Sequence, residues 1–240
     1  MQRESKSELS WGTTTHAVPM ITLLQHGPDE PAGVIEEYLK KRQQPYEIIR
    51  LYDGDELPED PPGHLIILGG HMSANDEREY PFLVPEKALI HTAVSHGSMV
   101  FGICLGAQLI AAALHEPVLL SHRERGWRQL RGCSPAWQRL FPPSCTVFQW
   151  HNETFNLPAG ATLLAQGDDV ANQAFRLGHA VGVQFHPEVT RPIISRWAEE
   201  MEDGERQQVL AASERECRQN RRRCCMMVDA FLAGWGRIWT

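Results

Sequence analysis

No apolar run in the 240 residues reaches the roughly 18 consecutive residues that a membrane-crossing helix needs. The polar start, Met1 to Ser10, lacks the apolar core of a secretory signal. A membrane partner is therefore not expected, and a cytoplasmic address is. Positive charge is scarce as well. Against 30 Asp and Glu stand 23 Lys and Arg, a formal net charge of −7, which removes any overall attraction for nucleic acid. Cysteine is sparse and unpatterned. Cys104, Cys133, Cys145, Cys217, Cys224 and Cys225 form no Cys-x-x-Cys spacing in a chain too long to need disulfide staples, so reduced thiols and no metal site are expected. No Gly-rich phosphate loop is present either, so no nucleotide-using synthetase domain is read within the chain.

With 42% hydrophobic and 22% charged residues, the chain has the composition of a globular domain with one substantial core. Residues 1–16 are polar and aperiodic and read as a disordered tail. Residues 17–240 are read as a single domain whose segment from about 192 to 233 is helical apart from a break at Asp203-Gly204. From the N-terminal side, Val18 to Gln25 reads as a strand, Ala32 to Gln43 as an amphipathic helix, Tyr46 to Tyr52 as a second strand and Leu65 to Leu68 as a third. Pro81 to His96 carries a further helical pattern. Strands and helices alternating in this way predict an α/β fold with an open, mostly parallel sheet and helices on both faces. Ligands of such sheets bind at the carboxyl ends of the strands. Beyond residue 116 the pieces become short: Pro117 to Ser121, Trp127 to Leu130, Thr146 to Trp150, Thr162 to Gln166, Gln173 to Leu177 and Ala180 to Phe185. They read as antiparallel additions to the sheet. His122 to Arg125 reads as a mixed charged loop, and the basic run Arg218, Arg221, Arg222 and Arg223 as a solvated helix face.

The chemistry concentrates where the apolar run Met99 to Ile103 meets the helix-forming run that follows it. Cys104 stands at that corner, between Gly102 and Gly106 in a Gly-x-Cys-x-Gly frame. Such a frame allows a turn too tight for flanking side chains and lifts the central residue into the open. A thiol there lies at a helix N-terminus, where unpaired N–H groups favour a thiolate and can hold an oxyanion. A base stands far along the chain. Val181, Val183 and Phe185 alternate as in a strand, and Pro187 stops it just after His186. Glu188, two residues on, is placed to bond the distal imidazole nitrogen, which completes the logic of nucleophile, base and orienter.

Three stretches together, Gly102 to Gln108, Gln184 to Glu188 and Ile66 to Asn75, resemble the class I glutamine amidotransferases. Their stand-alone, GMP-synthase-like branch is the most similar, through Gly126-Trp127 and Trp150-His151, and the match spans about Pro19 to Trp197. The resemblance implies a flavodoxin-like sheet with an antiparallel extension. It also implies cysteine-dependent hydrolysis of the γ-carboxamide of glutamine, or of a related γ-glutamyl amide, through a γ-glutamyl thioester. Cys104, His186 and Glu188 would be the catalytic triad, and the backbone N–H groups of Gly70 and Leu105 the oxyanion hole. Gln108 and His151 would lie against the substrate. The branch carries Gly-Asp where Asn152-Glu153 stands here, and the family often has proline where Ser98 stands. His151 is a rival base, and His186 is preferred because a carboxylate follows it at the right distance.

Cysteine, imidazole and two amides fill every chemical role, so no cofactor is expected. Three outcomes fit the residues: a self-sufficient hydrolase of γ-glutamyl compounds, a glutaminase subunit delivering ammonia to a separate synthetase, and a non-catalytic binding protein that keeps the fold. The first is slightly preferred. The intact Cys104, His186 and Glu188 argue against the third.

Overall fold

A computed structural model describes residues 18–235, so the expected tail over residues 1–16 lies outside the described residues. At its centre stands a nine-stranded sheet. The strands are β1 (Ile21–Gln25), β2 (Tyr46–Arg50), β3 (His64–Ile67), β4 (Met99–Ile103), β5 (Val118–Gly132), β6 (Ser144–Phe155), β7 (Thr162–Gln166), β8 (Ala174–Leu177) and β9 (Ala180–Val183), in the order β2-β1-β3-β4-β9-β8-β7-β5-β6. From β2 to β9 the neighbours run parallel, and from β9 to β6 they run antiparallel. The expected open α/β sheet with an antiparallel extension is thus present.

Side chains alternate across each parallel strand, so Leu23, Ile66 and Phe101 enter one apolar cluster while Leu24, Ile67 and Val100 enter the other. Two layers of helix cover these faces. Helices α1 (Gly33–Lys41) and α6 (Asp203–Leu232) pack on the first, and α2 (Leu83–Ser95) and α3 (Leu105–Ala113) on the second. Two short helices, α4 (Pro135–Leu140) and α5 (Arg191–Trp197), begin at the side-chain caps Ser134 and Thr190, each followed by proline in the first turn. The Asp203-Gly204 break falls where α6 begins. After α6 the chain folds back, burying Trp235 edge-on against Phe101 at 5.8 Å.

Two expectations need correction. The segment from Ala180 to Phe185 is not simply an antiparallel addition, because β9 pairs parallel with β4, with Gly102 opposite Gly182 and Ile103 opposite Val183. A short alternating strand carries no record of which neighbour it will join. The second correction concerns His122 to Arg125. These residues belong to one 15-residue strand, β5, which is paired with β6 along most of its length and interrupted only by an irregularity between Leu120 and Glu124. Their charges suggest a solvated loop, yet Glu124 is buried.

Candidate active site

The pairing of β9 with β4 sets the site, because both strands then end at the same edge of the sheet. Cys104 donates its backbone N–H to Val183 O at 2.8 Å, and His186 follows three residues later. At Cys104 the backbone takes φ +50° and ψ −105°, outside the ordinary basins of a non-glycine residue. Holding it there costs on the order of 1–3 kcal/mol, supplied by the surrounding packing. The flanking glycines make the corner feasible. A Cβ on Gly102 would lie 2.5 Å from Gly106 O, and one on Gly106 would collide with Ile67 O of β3. The elbow is thus pressed directly onto the neighbouring strand.

His186 is buried, and its Nδ1 is 2.7 Å from Glu188 Oε1. Its Nε2 has no hydrogen-bond partner. Burial opposes charge on this ring, but the Glu188 carboxylate and the adjacent Cys104 sulfur outweigh it and raise the pKa well above the usual 6.5. The closeness of the ring and Cys104 shows at Gly69, where a Cβ would sit 3.0 Å from His186 Cε1 and 3.8 Å from Cys104 Cβ. The segment bearing His186 is held from three sides. His186 N–H donates to Phe148 O at 2.8 Å, Val34 N–H at the start of α1 donates to Glu188 O at 2.8 Å, and Asn220 of α6 donates to Pro187 O at 3.0 Å.

Gly70 follows β3 and lines the same cleft as Cys104, and Leu105 opens α3 directly after Cys104. Beneath them is a pair that sequence reasoning missed. His26 and Glu86 are both fully buried, with Nε2 to Oε1 at 2.8 Å, and His26 Nδ1 is 3.1 Å from Gly69 O. Since both ring nitrogens face acceptors, both carry protons. Burial disfavours the charge, but Glu86 overcomes it and His26 is raised above its ordinary pKa.

Gln108 and His151 also reach the cleft, each already engaged. The Gln108 amide donates to Glu153 O at 3.1 Å and to Gln184 Oε1 at 3.4 Å, while Gln184 Nε2 donates to Cys104 Sγ at 3.6 Å. His151 places Nδ1 3.0 Å from Glu153 O and Nε2 3.0 Å from Glu124 Oε2. Glu124 in turn accepts from Gln173 Nε2 at 2.7 Å, and Gln173 Oε1 accepts from Gln149 Nε2 at 2.6 Å. Both nitrogens of His151 are thus engaged by β5 and β6 groups, and neither is directed at Cys104 by a hydrogen bond. The cleft above these groups is open and about 990 Å³ in volume. Trp150 and Trp197 wall one side, with Trp197 edge-on to His186 at 4.9 Å.

The fold and this constellation place the chain among the class-I glutamine amidotransferases, whose family description matches residues 32–192. The chain belongs to that family. It is 34% identical over 176 residues to the glutamine amidotransferase-like protein YfeJ of Salmonella typhimurium, covering 69% of this chain and 74% of that one. A glutamine amidotransferase of Thermotoga maritima superposes with a TM-score of 0.84 at 30% identity, over 90% of this chain and 99% of the other. The GMP synthase of Porphyromonas gingivalis is 32% identical over 148 residues, 58% of this chain but only 28% of the synthase. Hydrolysis of a glutamine amide is the activity that the family supports. Among the described residues, no helix is long and apolar enough to cross a membrane.

Proposed function

We propose that the protein hydrolyses the γ-carboxamide of glutamine or a related γ-glutamyl amide, with Cys104 as nucleophile, His186 as acid and base, and Glu188 as its orienter. Cys104 gives its proton to His186 Nε2, and its sulfur bonds to the γ-carbonyl carbon. The resulting oxyanion is held by the N–H groups of Gly70 and Leu105. His186 returns the proton to the nitrogen as the C–N bond breaks, releasing ammonia or an amine and leaving a γ-glutamyl thioester. His186 then takes a proton from water, hydroxide adds to the thioester carbon, and glutamate departs as the thiol is restored. The observation that carries this reading is the strained Cys104 corner beside a buried imidazole whose far nitrogen is fixed by Glu188 and whose near nitrogen is unpartnered.

The open cleft favours a self-sufficient enzyme over one that only feeds ammonia onward. About 990 Å³ is at the top of the range, roughly 300–1,000 Å³, of clefts that take drug-sized ligands. A leaving group much larger than ammonia has room. The similarity to the GMP synthases favours a second reading, a glutaminase that passes ammonia to a separate synthetase. Release of glutamate from glutamine and from γ-glutamyl amides by the purified protein, and its loss in Cys104→Ala, tests the chemistry. Turnover that appears only after a synthetase is added supports the second reading.

A further inference from the structure

Arg125 and Trp150 face each other in register on β5 and β6, and the guanidinium lies over the indole, 4.4 Å from its centroid. From there a line of rings leads to the base. Trp150 is 5.8 Å from Trp197, and Trp197 is 4.9 Å from His186. In the proposed reaction His186 serves the departing nitrogen, so the Trp197, Trp150 and Arg125 wall lies on the leaving-group side. Gln108 and Glu153 line the same cleft, joined through the Glu153 carbonyl.

The charges on that wall are unbalanced. The Arg125 side chain is only 19% exposed, and its one carboxylate contact is Glu200, at a long 3.4 Å and itself 67% exposed. The other acids at the cleft have partners: Arg196 takes Asp29 and Glu199, His71 takes Glu30, and Glu153 accepts from the Ser73 hydroxyl at 2.9 Å. Burial and then the like charge of Arg123, two residues away on the same strand, disfavour the Arg125 cation more than Glu200 and Glu205 favour it. With the guanidinium over the indole and only one N–H group reaching Glu200, at 3.4 Å, the fork retains donors of the kind that bind a carboxylate with two parallel hydrogen bonds.

We propose that Arg125, stacked on Trp150 beside Trp197, is the leaving-group subsite and selects γ-glutamyl amides whose amine carries a carboxylate, that is, γ-glutamyl amino acids and short γ-glutamyl peptides. This rests on the hydrolase reading above. The test compares kcat/KM for γ-glutamyl-phenylalanine with that for its C-terminal carboxamide, with glutamine measured alongside. In the natural protein the free carboxylate is favoured about ten- to a hundredfold, the worth of a charge-assisted hydrogen bond. In Arg125→Gln that ratio falls toward one, and Arg125→Lys keeps part of it, because a point charge replaces the fork. Equal rates on the two substrates by the natural protein, or a ratio that survives Arg125→Gln, overturn the subsite while hydrolysis of glutamine leaves the chemistry standing. No glutamate from any of the three substrates overturns both.

Discussion

His26 holds the carbonyl of Gly69, at 3.1 Å, from beneath the loop that ends β3. In a trans peptide the C=O and the following N–H point in opposite directions, so fixing Gly69 O on the buried side turns Gly70 N–H toward the open side, where Cys104 lies. The ring is fixed by Glu86 at 2.8 Å. His26 is thus a positioning residue for the proposed oxyanion donor.

Removing one member of a fully buried ion pair costs about 3–5 kcal/mol, so Glu86→Ala is expected to lower the urea midpoint strongly. A pH signature accompanies it. The folded-state pKa of His26 is raised above 6.5, so its stabilising contribution is complete below that value and is lost as pH rises through the raised one. His186, raised further by Glu188 and Cys104 against the opposing effect of burial, acts in the same direction. Stability is expected to fall as pH rises above about 6.5 and through the raised values of the two histidines, and Glu86→Gln to flatten that fall. A slope unchanged in Glu86→Gln would remove His26 from the account. In the same variant, kcat is expected to drop with little change in KM.

Cys104 is expected to be the first thiol alkylated. Burial raises the pKa of each of the other five cysteines, Cys224 most strongly, which withholds their thiolates at neutral pH. Cys104 stands at the N-terminus of α3 beside His186 and lines the cleft. Substoichiometric iodoacetamide followed by peptide mapping checks this. Faster labelling of Cys133, the one exposed cysteine, would contradict it.

Variants of the triad are expected to be graded. Cys104→Ala and His186→Ala each lower kcat on the order of ten-thousandfold or more, and Glu188→Gln less, since an orienter contributes less than the groups that bond or carry the proton. Asn220→Ala is expected to fall between Glu188→Gln and the natural protein, because it only loosens the Pro187 carbonyl from α6. Steady-state rates of glutamate release separate the four.

Local frames made the proposed triad legible. The glycines around Cys104 and the Pro-Glu after His186 are adjacent in sequence, and each announces its own geometry. What stayed hidden are groups whose meaning depends on distant partners. Glu124 looks like a solvated charge until it meets His151, 27 residues on, and Gln173, 49 residues on. Glu86 sits in the first turn of α2 as acidic residues commonly do, and only His26, 60 residues earlier, accounts for its burial. Strand order is hidden for the same reason. Four alternating residues, 180–183, define a strand, but its place beside β4 follows from the closure of the whole sheet.

The Glu124 and His151 pair also favours His186 of the two histidines that the sequence offered as bases. His151 places Nδ1 against the Glu153 carbonyl and Nε2 against a buried carboxylate, so both nitrogens are engaged away from Cys104. Its work is to fix the β6 segment that ends at Glu153, whose carbonyl also receives the Gln108 amide. His151→Ala is therefore expected to raise KM and to lower kcat by no more than about a hundredfold, well short of the loss in His186→Ala. Glu124→Ala leaves His151 Nε2 buried without its partner and the Gln173 amide with only the Val170 carbonyl at 3.3 Å, a loss of about 1–3 kcal/mol in stability. Rates and urea midpoints for His151→Ala, Glu124→Ala and Glu124→Gln, measured together, separate a structural pair from a catalytic one. If His151→Ala abolished turnover at normal stability while His186→Ala did not, the two histidines would exchange roles.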